Sequence, residues 1–139
     1  MKILFDTNIV LDLLLDRAPF ADAAADLFAK VEEGSVVGYL CGTTVTTIHY
    51  LTTRVVGSAR AKEEAGKLLS LFEVAPVNRA ILESALKAGF ADFEDAVIHE
   101  AACHVGAEAI VTRNLKDFKK SRVNVYHSTE LAGILTVKR

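Results

Sequence analysis

The sequence contains no tryptophan, one methionine, two prolines and two cysteines among its 139 residues. Cys41 and Cys103 form no CxxC pair, so reduced and buried thiols are the default expectation. No apolar run approaches the roughly 18 residues that a membrane-spanning helix needs, and Asp6 comes too early for a signal peptide. A chain of this length can bury enough surface to fold without cross-links as one domain, residues 1–139. We therefore expect a cytoplasmic protein with no membrane association.

The net charge of −2 conceals two parts of opposite charge. Residues 1–112 carry 9 basic and 16 acidic side chains, whereas residues 113–139 carry 7 basic and 2 acidic ones. An acidic body with a basic end is consistent with cation ligands beside a surface that attracts phosphate. A solvated surface with uneven charge is the alternative. Charge alone favours that alternative, because the sequence does not show which side chains meet.

Short apolar runs alternate with longer amphipathic segments, which predicts strands separated by helices. The predicted strands are Lys2–Phe5, Val36–Leu40, Val74–Val77, Ala109–Thr112 and Asn124–His127. Glycines mark the ends of several predicted helices, and Ser58 is expected to cap the helix that follows Gly57. This alternation predicts an α/β fold with a central, mainly parallel sheet and helices on both faces. In such sheets ligands bind at the carboxyl ends of the strands.

Asp6 lies at the carboxyl end of the first predicted strand, directly before a helix. The simplest interpretation is that Asp6 or Thr7 caps this helix, since caps are common. The other interpretation is a half-buried, preorganised carboxylate that belongs to a site. The apolar run that leads directly into Asp6 gives the second interpretation some weight.

Two further groups of acidic or amide side chains stand near the fourth predicted strand. Asn114 and Asp117 follow that strand, either in an ordinary polar loop or pointing into the crevice that Asp6 faces, with Thr112 orienting them. Asp92 and Asp95 open the preceding helix and share one face of its first turn. Acids there are favoured by the helix dipole without any function. That explanation is weaker for Asp95, because apolar residues follow it at once.

A cluster of carboxylates suits the chemistry of phosphodiester hydrolysis. That reaction needs neutralised phosphate charge and a water that loses its proton near neutral pH, and Mg²⁺ or Mn²⁺ supplies both. These cations prefer hard oxygen ligands and keep several waters, so a few carboxylates suffice. Gathering like charges without a cation is costly. If the acids converge in three dimensions, they therefore predict a metal site.

Three blocks of sequence together resemble the PIN-domain family, and more narrowly the VapC-type toxins and their bacterial relatives. These blocks are Ile3–Asp12, Asp92–Ala96 and Ile110–Phe118, and their order and spacing extend the resemblance over nearly the whole chain. The resemblance implies a parallel sheet, an acidic pocket, Mg²⁺ or Mn²⁺, and endonuclease cleavage of RNA. It also implies a small antitoxin partner and a homodimer.

The resemblance assigns roles to individual residues. Asp6 and Asp95 become the principal metal ligands and catalytic residues, together with Asp117 at a position where the family has an acid or a nearby amide such as Asn114. Asp92 is a secondary acid. Thr7 and Thr112 are polar supports. The basic residues expected to guide the RNA backbone are Arg113, Lys116, Lys119 and Lys120.

One departure from the family concerns the helix after the second strand. The family usually has an acid there, whereas the matching position here is Thr47, and no acid occurs between Glu33 and Glu63. Thr47 is expected to support the site by holding a metal-bound water with its hydroxyl, but it supplies no charge. Three hypotheses therefore stand: an active ribonuclease, a non-catalytic RNA- or protein-binding module on the same fold, and a small-molecule phosphohydrolase.

The stretch from His99 to His104 resembles a zinc-protease HExxH motif but does not match it. Position i+4 is Cys103 and the second histidine is at i+5, so the two histidines do not share the required helix face. Two ligands make no zinc site, and we expect packing or surface positions for His99 and Cys103.

Overall fold

The computed structural model describes residues 1–137 of the chain. Lys138 and Arg139, two of the basic residues in the C-terminal charge count, lie outside the described residues. The strands within the described part are β1 (Lys2–Phe5), β2 (Val37–Cys41), β3 (Glu73–Ala75), β4 (Ala109–Val111) and β5 (Asn124–Tyr126). All correspond to predicted strands, with ends that differ by no more than two residues.

Helices occupy most of the chain between the strands. They are α1 (Thr7–Leu14), α2 (Ala21–Glu32), α3 (Gly42–Val56), α4 (Ser58–Leu71), α5 (Arg79–Lys87), α6 (Phe93–His104) and α7 (Ser128–Val137), with a 3₁₀ turn at Leu115–Phe118. The predicted cap at Ser58 is wrong. Gly57, with φ of 88°, precedes α4 and no side chain caps that helix. None of the helices in the described part is long and apolar enough to cross a membrane.

The five strands form one sheet in the order β3-β2-β1-β4-β5. Every neighbouring pair is parallel, which confirms the predicted α/β class. From β1, strands β2 and β3 lie on one side of the sheet and β4 and β5 lie on the other. The crossover connections therefore leave in opposite directions between β1 and β4. This is the topological switch point at which open α/β sheets bind ligands.

Helices cover both faces of this sheet, because alternate strand residues point to opposite sides. Ile3 and Phe5 pack on one face with residues of α1, α2, α3, α4 and α7. Leu4 and Ile110 pack on the other face with residues of α5 and α6. With both faces covered, the edge of the sheet at the carboxyl ends of the strands is where polar groups meet solvent.

Candidate active site

Asp6 directly follows β1 and caps α1. Its carboxylate is 5% exposed, and its Oδ1 accepts a hydrogen bond from the Thr7 N–H at 2.8 Å. The other oxygen, Oδ2, accepts a hydrogen bond of 2.8 Å from the Thr112 hydroxyl and one of 3.4 Å from the Asn8 side-chain amide. The cap interpretation of Asp6 is therefore confirmed, whereas its membership of a functional site stays a prediction. It is a helix cap, and it is also a buried carboxylate fixed across the switch point.

Thr112 contacts Asp6 from a position 106 residues away in the chain, and its role as a support of the site stays a prediction. The side chain is fully buried at the end of β4. Its hydroxyl donates to Asp6 and accepts from the Asn114 N–H at 3.0 Å. The register of β1 beside β4, in which Phe5 pairs with Val111, brings these groups together. One hydroxyl thus links the aspartate to the loop that continues toward Asp117.

Asp95 lies in the first turn of α6, half-buried at the same edge of the sheet. Burial raises its pKa from 3.8 to about 7, and the neighbouring negative charges act in the same direction. Those charges belong to Asp6, Asp92, Asp117 and Glu94. Burial also raises the pKa of Asp6, against the hydrogen bonds from Thr112 and Thr7. The acids predicted from separate segments therefore act on one another electrostatically.

Glu94 is an acid that the sequence reasoning had left to the helix dipole. Its charge raises the pKa of both Asp6 and Asp95. Position alone gave no reason to include it, because acids in a first helical turn are common. The structure adds it to the acidic cluster, defined here as Asp6, Asp92, Glu94, Asp95 and Asp117.

The acidic cluster is a neighbourhood of charges and not a closed coordination sphere. Within residues 1–137, no three His, Cys, Asp or Glu side chains are arranged to hold a metal ion. The repulsion that raises the pKa of Asp95 also opposes the approach of these carboxylates. Their donor set of hard oxygens at a partly exposed edge fits Mg²⁺ or Mn²⁺, which keep several waters. Metal ligation by Asp6, Asp95 and Asp117 stays a prediction.

Asp92 and Asn114 hold the segments on which the acids stand. The Asp92 side chain caps α6 by accepting the Asp95 N–H at 3.0 Å. Asn114 precedes the 3₁₀ turn, and its carbonyl accepts the Asp117 N–H at 3.0 Å. Both contacts involve the peptide group of an aspartate in the cluster. Each residue therefore has a positional role independent of any ligand.

The threonines of α3 offer hydroxyls and no charge. Thr7 donates a hydrogen bond of 3.2 Å to Thr44, which is buried. Thr47 is half-buried and donates its hydroxyl to the Thr43 carbonyl at 3.1 Å within its own helix. The departure from the family pattern thus leaves this side of the site without a carboxylate.

The four predicted RNA-binding residues have different surroundings. Lys116, Lys119 and Lys120 are exposed, and with Asp117 they line an open pocket of about 450 Å³. Arg113 instead turns inward, and its guanidinium forms an ion pair of 2.7 Å with the fully buried Asp12. The lysines remain available to a phosphate backbone, whereas the Arg113 guanidinium already has a protein partner.

His99 has a structural environment that accounts for its burial. The ring is fully buried, with Nδ1 2.8 Å from a Glu100 oxygen, while Nε2 accepts the Arg122 N–H at 3.0 Å. Burial lowers the pKa of His99, so the neutral ring is favoured. Cys103 Sγ is 3.6 Å from Nε2. These contacts tie α6 to the segment before β5, consistent with the packing or surface positions expected of His99 and Cys103.

The fold and its site together define a doubly wound α/β domain with an acidic cluster at the switch point of its sheet. Over residues 2–116 the sequence matches the family model of the PIN domain. The chain therefore belongs to the PIN-domain family, which confirms the family and the fold that the three motifs predicted. No curated protein sequence matches the chain at a significant level.

Several solved structures share this fold. FitAcB from Neisseria gonorrhoeae matches with a TM-score of 0.71 at 18% identity, covering 91% of this chain and 98% of that one. A toxin–antitoxin complex from Klebsiella pneumoniae matches with a TM-score of 0.64 at 25% identity, covering 84% and 90%. VapC20 from Mycobacterium tuberculosis, a sarcin-ricin loop cleaving toxin, gives 0.63 at 18% identity, covering 78% and 86%.

Proposed function

We propose that this protein is a divalent-metal-dependent endoribonuclease that acts in the cytoplasm as the toxin of a toxin–antitoxin pair. The observation that carries the proposal is the pKa of Asp95, raised to about 7 by burial and by four neighbouring carboxylates. Such mutual repulsion costs stability unless a cation offsets it, and strongly perturbed groups at a cleft favour a functional site.

Asp6, Asp95 and Asp117 would hold the cation through hard carboxylate oxygens. When bound, a divalent ion neutralises phosphate charge and makes a water molecule more acidic. In the proposed reaction, the oxygen of a water molecule forms a bond to phosphorus while the bond from phosphorus to the 3′-oxygen breaks. The water proton leaves and the 3′-oxygen gains one, so the products carry 5′-phosphate and 3′-hydroxyl ends.

The surrounding residues would keep the carboxylates in place during this reaction. Thr7 and Thr112 already bind opposite oxygens of Asp6, which fixes the plane of its carboxylate. Asp92 and Asn114 hold the peptide groups of Asp95 and Asp117. Preorganised ligands of this kind need little rearrangement when charge develops in the transition state.

The RNA strand would approach along the lysine pocket. Lys116, Lys119 and Lys120 are exposed around Asp117, so their ammonium groups can meet phosphates next to the acidic cluster. Contacts of this kind position a nucleic acid without reading its bases. We therefore expect binding through these lysines to weaken steeply as salt concentration rises.

The assignment to a toxin rests on the structural relatives. The Klebsiella protein belongs to a toxin–antitoxin complex, and VapC20 is a loop-cleaving toxin. We propose that a small antitoxin protein, encoded next to this chain, covers the acidic cluster. We also propose a homodimer, supported by exposed apolar side chains such as Leu86 (74%), Val55 (64%) and Tyr50 (60%).

A second candidate function is a non-catalytic RNA- or protein-binding module. Thr47 supports this alternative, because its hydroxyl is bound to its own helix and brings no charge to the cluster. Calorimetry with millimolar Mn²⁺ separates the two functions, since a module without a metal site gives no binding heat. A small-molecule phosphohydrolase would instead turn over a phosphomonoester and leave RNA uncut.

The decisive experiment compares cleavage of RNA by the wild type with that of the Asp6→Asn and Asp95→Asn variants. Each variant keeps the size of the side chain and removes one carboxylate charge. We expect each to lose about 100-fold or more in cleavage rate, since charge stabilisation is usually the largest catalytic term. The matched control is Asp26→Asn, an exposed acid on α2 away from the cluster, which should cleave normally. Full activity in both cluster variants would refute the proposal.

A further inference from the structure

Asp12 is a carboxylate with no access to solvent in the middle of α1. Its exposed fraction is 0%, and its helix neighbours Val10 and Leu11 belong to the hydrophobic core. Burying an ionised carboxylate among apolar side chains is strongly unfavourable unless it is paired and hydrogen-bonded. The partners of Asp12 therefore identify the segments that α1 holds in place.

Two arginines from different parts of the chain meet this carboxylate. Arg17, in the connection between α1 and α2, donates from Nε to Oδ1 of Asp12 at 3.0 Å. Arg113, in the loop after β4, donates from Nε to Oδ2 at 2.7 Å and from Nη2 to Oδ1 at 3.1 Å. Only Arg113 forms the two-pronged pair, which fixes orientation as well as distance.

One face of the Arg113 guanidinium lies against an aromatic ring. Its central carbon lies 4.0 Å from the centre of the Phe20 ring, a cation–π distance. The side chain is 23% exposed, compared with 39% for Arg17. The guanidinium is thus enclosed by Asp12 and Phe20 and is poorly placed to bind a phosphate.

The backbone around Arg113 leads directly to Asp6. The Arg113 N–H donates to the Asn8 side-chain oxygen at 3.3 Å, and the Asn8 amide nitrogen lies 3.4 Å from Oδ2 of Asp6. The preceding residue, Thr112, donates its hydroxyl to the same Oδ2 at 2.8 Å. Thr112 is therefore covalently joined to Arg113, and the Asn8 side chain is hydrogen-bonded to the Arg113 peptide group.

We propose that Arg113 is a positioning residue, which uses the buried Asp12 to hold Thr112 and Asn8 on the carboxylate of Asp6. Its role in the reaction rests on the proposed function, whereas its role in holding Asp6 does not. The inference replaces the expectation that Arg113 guides the RNA backbone. It also gives Asp12 a role that its place within an apolar helix did not reveal.

The test compares Arg113→Met with the matched control Arg17→Met. Both variants remove one of the two cations that face Asp12. Arg17 also donates to the Asn8 carbonyl at 3.3 Å, but Arg113 is the one that is continuous with Thr112 and bound to the Asn8 side chain. We expect Arg113→Met to lower kcat for RNA cleavage by between about 10-fold and 100-fold, since small misplacements are costly in catalysis. KM and the salt dependence of RNA binding should stay at their wild-type values. Arg17→Met should keep the wild-type kcat at a temperature where both variants are fully folded.

Two kinetic outcomes would overturn the inference. A raised KM with a weaker salt dependence in Arg113→Met would mean that the guanidinium binds phosphate. An equal loss of kcat in the two folded variants would mean that both arginines support the site alike through Asp12, and that the two-pronged pair of Arg113 has no separate positioning role.

A crystal structure of each variant supplies a readout that does not depend on cleavage. We expect the distance from Thr112 Oγ1 to Asp6 Oδ2 to lengthen beyond hydrogen-bonding range in Arg113→Met and to stay near 2.8 Å in Arg17→Met. An unchanged distance in Arg113→Met would refute the positioning role, even if the wild type cleaves no RNA. If Arg113→Met does not fold, Arg113→Lys keeps the charge without the two-pronged pair and serves the same comparison.

Discussion

The pKa of Asp95 reflects the burial of this side chain and the charges around it. Burial and the charges of four nearby carboxylates all favour its protonated form, so its pKa in the folded protein is about 7 instead of 3.8. Between these two values the unfolded chain releases the proton while the folded chain retains it. The free energy of unfolding therefore decreases as the pH rises through this interval, and the stabilisation is lost above pH 7.

The first prediction concerns Asp95→Asn in a buffer that contains a chelator. We expect this variant to be more stable than the wild type at pH 8, by about 1 to 3 kcal/mol, because it removes a carboxylate that ionises unfavourably. At pH 4 the advantage should largely disappear. Chemical denaturation at both pH values measures the difference. Parallel stability curves from pH 4 to pH 8 would contradict the assigned environment.

Asp6 illustrates what residue type and position can and cannot reveal. An aspartate between a strand and a helix is expected to cap the helix, and here it does so with one oxygen. The second oxygen binds Thr112, whose distance in sequence hides the contact. The same carboxylate therefore serves two purposes, and only the second depends on the tertiary structure.

At the scale of the elements, the start of α6 is held by a capping aspartate that also belongs to the acidic cluster. The Asp92 side chain accepts the Asp95 N–H at 3.0 Å. Its negative charge also raises the pKa of Asp95. Capping and repulsion are separable, because asparagine caps a helix as well as aspartate does but carries no charge.

The second prediction compares Asp92→Ala with Asp92→Asn. The alanine variant should lose about 1 kcal/mol of stability, because the N–H groups of the first turn lose an acceptor. The asparagine variant should match or exceed the wild type. Urea unfolding at pH 8 provides the measurement. If the two variants lose the same stability, the charge of Asp92 matters and its cap does not.

The boundary between α3 and α4 explains why one predicted cap was wrong. Gly57 ends α3 and directly precedes α4, with a φ of 88° that a side chain would disfavour. The chain therefore changes direction within one residue, and Ser58 is already helical. The sequence placed the boundary correctly, but Gly57 occupies the capping position and Ser58 is the first residue of α4.

At the scale of the whole molecule, the sheet order brings together acids from three separate segments. Because β1 and β4 are adjacent, Asp6 and the loop that carries Asp117 meet at one edge, and α6 brings Asp95 to the same edge. The repulsion among these acids lowers the free energy of unfolding of the whole domain. A ligand that offsets the repulsion should therefore stabilise the protein as a whole.

The third prediction is that Mn²⁺ raises the free energy of unfolding at pH 8. A ligand at 100 times its Kd stabilises a folded protein by about 2.7 kcal/mol, and a chelator should reverse the effect. Thermal unfolding with and without Mn²⁺ gives the measurement. The Asp6→Asn/Asp95→Asn double variant is the control and should show no shift. An equal shift in that variant would place the bound ion elsewhere.

The succession of strands and helices could be read from the amino-acid sequence, since apolar periodicity and turn residues act locally. The sequence also placed Asp6, Asp95 and Asp117 beside the ends of elements, where chemistry is expected in an α/β fold. Only the tertiary structure decided that β4 lies next to β1, that Thr112 binds Asp6, and that Asp12 occupies the Arg113 guanidinium. These contacts join residues that are far apart in the chain, and they depend on how the helices pack on both faces of the sheet. No periodic pattern in the sequence marks such contacts.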